Sequence, residues 1–104
     1  MKLQGIFPPI ATPFDSNGDL YKAKVRHNLD KWNLTNLAGY VVCGSTGESV
    51  MLSTEEKIQI WEWVAEFAAP GRLLLAGTGM ESVRETVSLT NKAAGIGYRA
   101  AMVR

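Results

Sequence analysis

The sequence has little of several residue types, and each shortage removes a class of function. Cys43 is the only cysteine among 104 residues, so no internal disulfide can form and a cysteine-built metal centre is not expected. His27 is the only histidine. It falls between Val25 and Leu29 in a helical pattern, which suits a surface or partly packed residue better than a base or a ligand. No apolar run approaches the ~20 residues that a membrane-crossing helix needs. Met1-Lys2-Leu3-Gln4-Gly5 has no signal-peptide core, and a soluble cytoplasmic protein is the default expectation. Charge of one sign is also lacking: 11 Lys and Arg face 10 Asp and Glu, for a net +1. Without a basic stripe, neither nucleic acid nor an anionic membrane is an expected partner.

What remains is an ordinary globular balance, 46% hydrophobic and 20% charged, in a chain long enough for one domain at most. Apolar runs alternate with helical patterns. Ile6–Ala11 is strand-like, although Pro8 and Pro9 each lack a ladder donor. Asp15-Ser16-Asn17-Gly18-Asp19 reads as a turn, and a helix follows over about 21–34. Gly39–Cys43 reads as a strand buried on both faces. Ser53-Thr54-Glu55-Glu56 is a capping box that opens a helix to about Ala69, where Pro70-Gly71 stops it. Leu73–Ala76 is the next strand. Ser82-Val83-Arg84-Glu85 is a second box, opening a helix that carries Val83, Val87, Thr90 and Ala94 on its apolar stripe. Ala100–Val103 is a last strand. Strand and helix thus repeat three times before a fourth strand. With right-handed crossovers this predicts an α/β fold of parallel strands with outer helices. The fourth strand has no helix to cover it, so residues 1–104 form a single incomplete domain.

Chemistry is expected where the second apolar run breaks into Gly44-Ser45-Thr46-Gly47-Glu48, since ligands of parallel α/β proteins sit beyond the carboxyl ends of strands. The small residues let backbone N–H groups approach an anion. Ser45 and Thr46 suit a carboxylate or a developing oxyanion, whereas Glu48 better fits tying down loop N–H groups. Nucleotide readings fail. Gly44–Ser49 has no P-loop lysine, and no acid follows Glu85 to serve a ribose after Gly77-Thr78-Gly79. Cys43 lacks an evident basic neighbour and reads as a small hydrophobe. Trp61 and Phe67 read as packing residues. Trp63 lies off the stripe, either exposed or facing another subunit.

Three segments together resemble the dihydrodipicolinate synthase and N-acetylneuraminate lyase family. They are Gly5-Ile6-Phe7-Pro8-Pro9-Ile10-Ala11-Thr12-Pro13-Phe14, Gly39–Glu48, and Leu52-Ser53-Thr54-Glu55-Glu56-Lys57; Ala76-Gly77-Thr78-Gly79 also matches. The double proline leans toward the 4-hydroxy-2-oxoglutarate aldolase relatives. The resemblance implies the N-terminal part of a (β/α)8 TIM barrel that, when complete, is a homo-oligomeric class I aldolase or lyase. Such an enzyme forms a Schiff base between a barrel lysine and pyruvate or another 2-oxo acid, with no metal and no cofactor. Carried over by position, Ser45 is the proton-relay hydroxyl, Thr46 and Gly47 bind the substrate carboxylate, and Glu48 holds the loop. The family's proton-relaying tyrosine and Schiff-base lysine follow the fourth strand, beyond Arg104. Lys2, Lys22, Lys24, Lys31, Lys57 and Lys92 fall at the N-terminus or on predicted helices, where surface positions are expected. The chain is therefore expected to be a piece of such an enzyme, or a truncated product, and inert alone. The alternative is a non-catalytic fragment that binds small carboxylates or another protein.

Overall fold

The fold was obtained as a computed structural model, which describes residues 5–35, 37–44, 52–79 and 82–102. In chain order the elements are α1 (Lys22–Trp32), β1 (Gly39–Val42), α2 (Thr54–Phe67), β2 (Leu73–Gly77), α3 (Val83–Ile96) and β3 (Ala100–Met102). The strands form one parallel sheet in the order β1-β2-β3, with Tyr40 opposite Leu74 and Ala76 opposite Ala101. Sequential parallel strands joined by right-handed crossovers place all three helices on one face. The molecule is accordingly a slab of 39 × 37 × 21 Å.

The first apolar segment differs from a full strand. It touches β1 through a single parallel bridge, Pro9 to Val41. Ile10 N–H donates to the Val41 carbonyl at 3.0 Å, and Val41 N–H donates to the Pro8 carbonyl at 3.0 Å. Two consecutive prolines supply no N–H, so the ladder cannot extend. The turn after it forms as its composition dictates. Asp15 Oδ1 accepts from Asn17 N–H at 2.8 Å and Asp19 N–H at 3.1 Å, and Gly18 takes the left-handed conformation with φ 85.

Helix α2 starts with a complete capping box. Ser53 Oγ accepts from Glu56 N–H at 3.1 Å, and Glu56 Oε1 accepts from Ser53 N–H at 2.9 Å. In α3 the Ser82 hydroxyl accepts from Glu85 N–H at 3.2 Å. The core lies between sheet and helices, where Tyr40, Val42 and Ala76 meet Leu29, Ile60, Trp61, Val64, Leu89 and Ala93. Tyr40, Val42, Trp61 and Val64 are fully buried. Trp63 lies half-buried at the α1–α2 seam, with Lys22 Nζ 5.9 Å from its ring centroid.

Helix α3 does not bury the expected stripe. Leu89 and Ala93 face the core, while Val83 and Val87 are 80% and 53% exposed. At 100° per residue the two stripes lie about a third of a turn apart. The helix thus has one face on the core and a second apolar line that is exposed.

Two glycines set the spacing of β1 and β2. A Cβ on Gly39 would stand 1.8 Å from the Leu73 carbonyl oxygen, and one on Gly77 would stand 2.2 Å from that of Cys43. Only a residue without a side chain admits backbone that close.

Candidate functional site at the carboxyl rim of the sheet

The carboxyl ends of β1 and β2 converge on one rim. At β1 the chain leaves the strand through Cys43, whose φ of 62 is the one positive value at a non-glycine among the described residues. That left-handed turn directs the backbone into Gly44 and the loop beyond. Ser45, Thr46, Gly47 and Glu48, the residues to which the sequence assigns site roles, lie outside the described residues.

The described residues at the rim are buried and hydrogen-bonded. Thr78, just past β2, is fully buried, and its Oγ1 accepts from the Thr90 hydroxyl at 2.8 Å. That bond clamps the β2 end onto the middle of α3. Thr12, after the first bridge, is also buried. Below the β1 end, Cys43, Trp61 and Tyr98 pack into the helix-facing core. Tyr98 Oη donates to the Trp61 carbonyl at 2.9 Å, and the two rings lie 6.1 Å apart at 54°.

Lys57 is the correction that the structure makes. The sequence places every lysine on the surface, and Lys22, Lys24, Lys31 and Lys92 are indeed exposed. Lys57 is only 3% exposed. It sits in the first turn of α2, close enough to Cys43 for its charge to be felt there. The cysteine therefore has the cationic neighbour that the sequence did not reveal. The signal was available, since Lys57, Ile60, Trp61 and Val64 share one helical face. A lone cation on that face reads as exposed unless the adjoining strand end is known.

This neighbour does not activate the thiol. Burial pushes Cys43 up to about 12 from an ordinary 9.0, against smaller opposing effects of Lys57 and the Trp61 indole. The indole N–H lies near enough to contribute but meets no acceptor at hydrogen-bond geometry. Tyr98 is likewise raised, by burial first and by Cys43 second. Both groups stay neutral and serve as packing. Among the described residues no cluster of His, Cys, Asp or Glu suits a metal ion, and no helix is long and apolar enough to cross a membrane.

The sequence matches the Dihydrodipicolinate synthetase family over residues 2–103. The chain belongs to that family. It is 38% identical over 100 residues to the 4-hydroxy-tetrahydrodipicolinate synthase of Methanothrix thermoacetophila, a match covering 96% of this chain and 33% of that relative. The Bacillus subtilis synthase is 35% identical over 104 residues, covering 99% and 36%. Among solved structures, the 4-hydroxy-tetrahydrodipicolinate synthase of Methylacidiphilum fumariolicum SolV superposes with a TM-score of 0.92 at 33% identity, covering 98% of this chain and 34% of that one. N-acetylneuraminate lyase from Mycoplasma synoviae superposes at 0.87 with 34% identity, covering 95% and 34%. The chain spans about a third of the length of these relatives. Its fold is the N-terminal part of their TIM barrel.

Proposed function

We propose that this chain is the first third of a Schiff-base-forming aldolase or lyase that acts on pyruvate or a related 2-oxo acid. One observation carries the reading. A family match covers residues 2–103, and Ser45, Thr46 and Gly47 follow β1 in the sequence, at the end of the strand where barrel enzymes assemble their sites. In the complete enzyme a lysine amine condenses with the ketone and releases water, and the resulting iminium makes the neighbouring carbon acidic. Thr46 and Gly47 hold the substrate carboxylate through a hydroxyl and a backbone N–H. Ser45 passes protons through its hydroxyl, and Glu48 ties down the loop. No metal or cofactor enters this chemistry. The complete protein is homo-oligomeric, cytoplasmic, and independent of nucleic acid or membrane.

The lysine is not supplied by these residues. Lys22, Lys24, Lys31 and Lys92 are exposed on helices. Lys57 lies between α2 and the β1 end on the helix-facing side, beside a cysteine that belongs to that core. The chain contributes substrate grip and proton relay, and the electrophile-forming amine belongs to the remaining barrel.

The test joins residues 1–104 to the part of the Bacillus subtilis synthase that lies beyond its matched segment, and measures pyruvate-dependent turnover. Ser45→Ala should lower kcat about 100-fold, the lower range for a lost proton relay. Thr46→Val should raise KM for the oxo acid about tenfold, the worth of one hydrogen bond to a charged group. Unchanged kinetics in both variants would contradict the assignment.

A further inference from the structure

We propose that Cys43 is a positioning residue, whose left-handed backbone, seated on Gly77 and braced by the Thr78–Thr90 pair, fixes the direction in which the relay loop leaves β1. The proposal rests on the functional reading above, in which Ser45 relays protons. Cys43 has φ 62, and no other non-glycine among the described residues has a positive value. For a residue with a Cβ that conformation is crowded, so it persists only where its surroundings hold it. Strain of this kind concentrates where a site needs fixed geometry. Ser45 and Thr46 follow Cys43 by two and three positions in the sequence.

Three constraints act on this one residue. Its side chain is 1% exposed and belongs to the helix-facing core, so Cys43 cannot relax by turning outward. Its carbonyl and the Gly44 nitrogen lie against Gly77, where a Cβ would overlap the former and stand 3.2 Å from the latter. Gly77 therefore seats the Cys43–Gly44 peptide on the end of β2. The next residue, Thr78, is fully buried and accepts from the Thr90 hydroxyl at 2.8 Å, which holds that seat to α3. Packing and positioning make opposite demands on residue 43. Packing needs apolar bulk, which valine has and glycine lacks. Positioning needs a positive φ, which glycine adopts freely and a β-branched residue resists.

The test compares Cys43→Gly with Cys43→Val in the protein joined to the Bacillus subtilis portion, by pyruvate-dependent turnover. The valine variant should have a kcat at least about tenfold below that of the glycine variant, since a misplacement of about 1 Å costs up to ~100-fold. A valine variant as fast as the glycine variant, or faster, would overturn the proposal, because bulk alone would then account for Cys43. Thr90→Val removes the donor to Thr78 and should lower kcat, whereas Thr90→Ser should restore it. In the 104-residue chain alone, Thr90→Val should speed amide exchange at Cys43 and Gly44, followed by NMR, about fivefold, the worth of one hydrogen bond. Exchange in α1 should not change. No change at Cys43 and Gly44, or an equal rise throughout α1, would overturn the proposal. The two readings fail separately. If the parent joined protein does not turn over pyruvate, the functional reading fails and the exchange pattern decides whether α3 holds the Cys43 turn. If it does turn over pyruvate and the valine variant is the faster, the functional reading stands and the positioning role falls.

Discussion

Cys43 and Tyr98 are two ionisable groups that the fold keeps neutral, and their neutrality sets the alkaline limit of stability. An unfolded chain loses the cysteine proton near 9.0, whereas the folded one holds it until about 12. Below the first value both states are protonated and the stabilisation is fully present. Between the two values the unfolded state binds fewer protons, and stability falls by about 1.4 kcal/mol per pH unit. Tyr98, raised above its ordinary 10.0 by burial, adds a loss of the same sign at higher pH. Urea unfolding from pH 7 to 11 should show a plateau to about 9 and a steepening decline beyond it. Cys43→Ala should remove the first part of that decline. A flat profile in the parent chain would show that neither group is held neutral by burial. The same burial leaves the folded chain unreactive toward thiol reagents at neutral pH, despite Lys57 nearby.

Between elements, Asn33 is the clasp. It follows α1, and its Nδ2 donates to the Phe67 carbonyl at 2.9 Å. Its Oδ1 accepts from Tyr40 Oη at 2.8 Å and from Ala69 N–H at 3.1 Å. Arg72 donates to the Asn33 and Thr35 carbonyls at 3.1 and 2.9 Å. One side chain thereby ties the ends of α1 and α2 to β1 at the face opposite the site. At about 1 kcal/mol per bond, Asn33→Ala should cost about 3 kcal/mol, read from the urea midpoint. A loss under about 0.5 kcal/mol would mean the clasp does not hold the helix ends. Nothing in the sequence marked Asn33, because its partners other than Tyr40 lie 34 to 39 positions away. The helices and strands themselves were legible, since Ser53 with Glu56, Pro70-Gly71 and the unbroken apolar runs are local signals. Ile6–Ala11 reads as a strand by composition but pairs at one bridge, because donors count as well as apolarity. The helical spacing of Val83 and Val87 reads correctly from the sequence, while their exposure does not. Periodicity shows that a face is apolar without showing which neighbour covers it.

At the scale of the molecule, a radius of gyration of 12.9 Å matches the ~13 Å of a complete domain of about 100 residues, yet the chain spans only about a third of the length of its relatives. Three parallel strands and their helices pack a real core, while Val83 and Val87 stay exposed on α3. The family and the incomplete barrel could be read from Gly5–Phe14, Gly39–Glu48 and Leu52–Lys57, because those segments combine turn chemistry and rim residues in a fixed order. The burial of Lys57 could not be read, since it depends on how α2 docks against β1. That lysine makes the central claim sharply testable, as it is the one lysine among the described residues removed from water. The direct measurement is intact-protein and peptide mass spectrometry after incubation with pyruvate and borohydride. The 104-residue chain should gain no reduced adduct, and the protein joined to the remaining barrel should gain one, on a lysine in the added portion. A pyruvate adduct on Lys57, or on any of the other five lysines of this chain, would contradict the account.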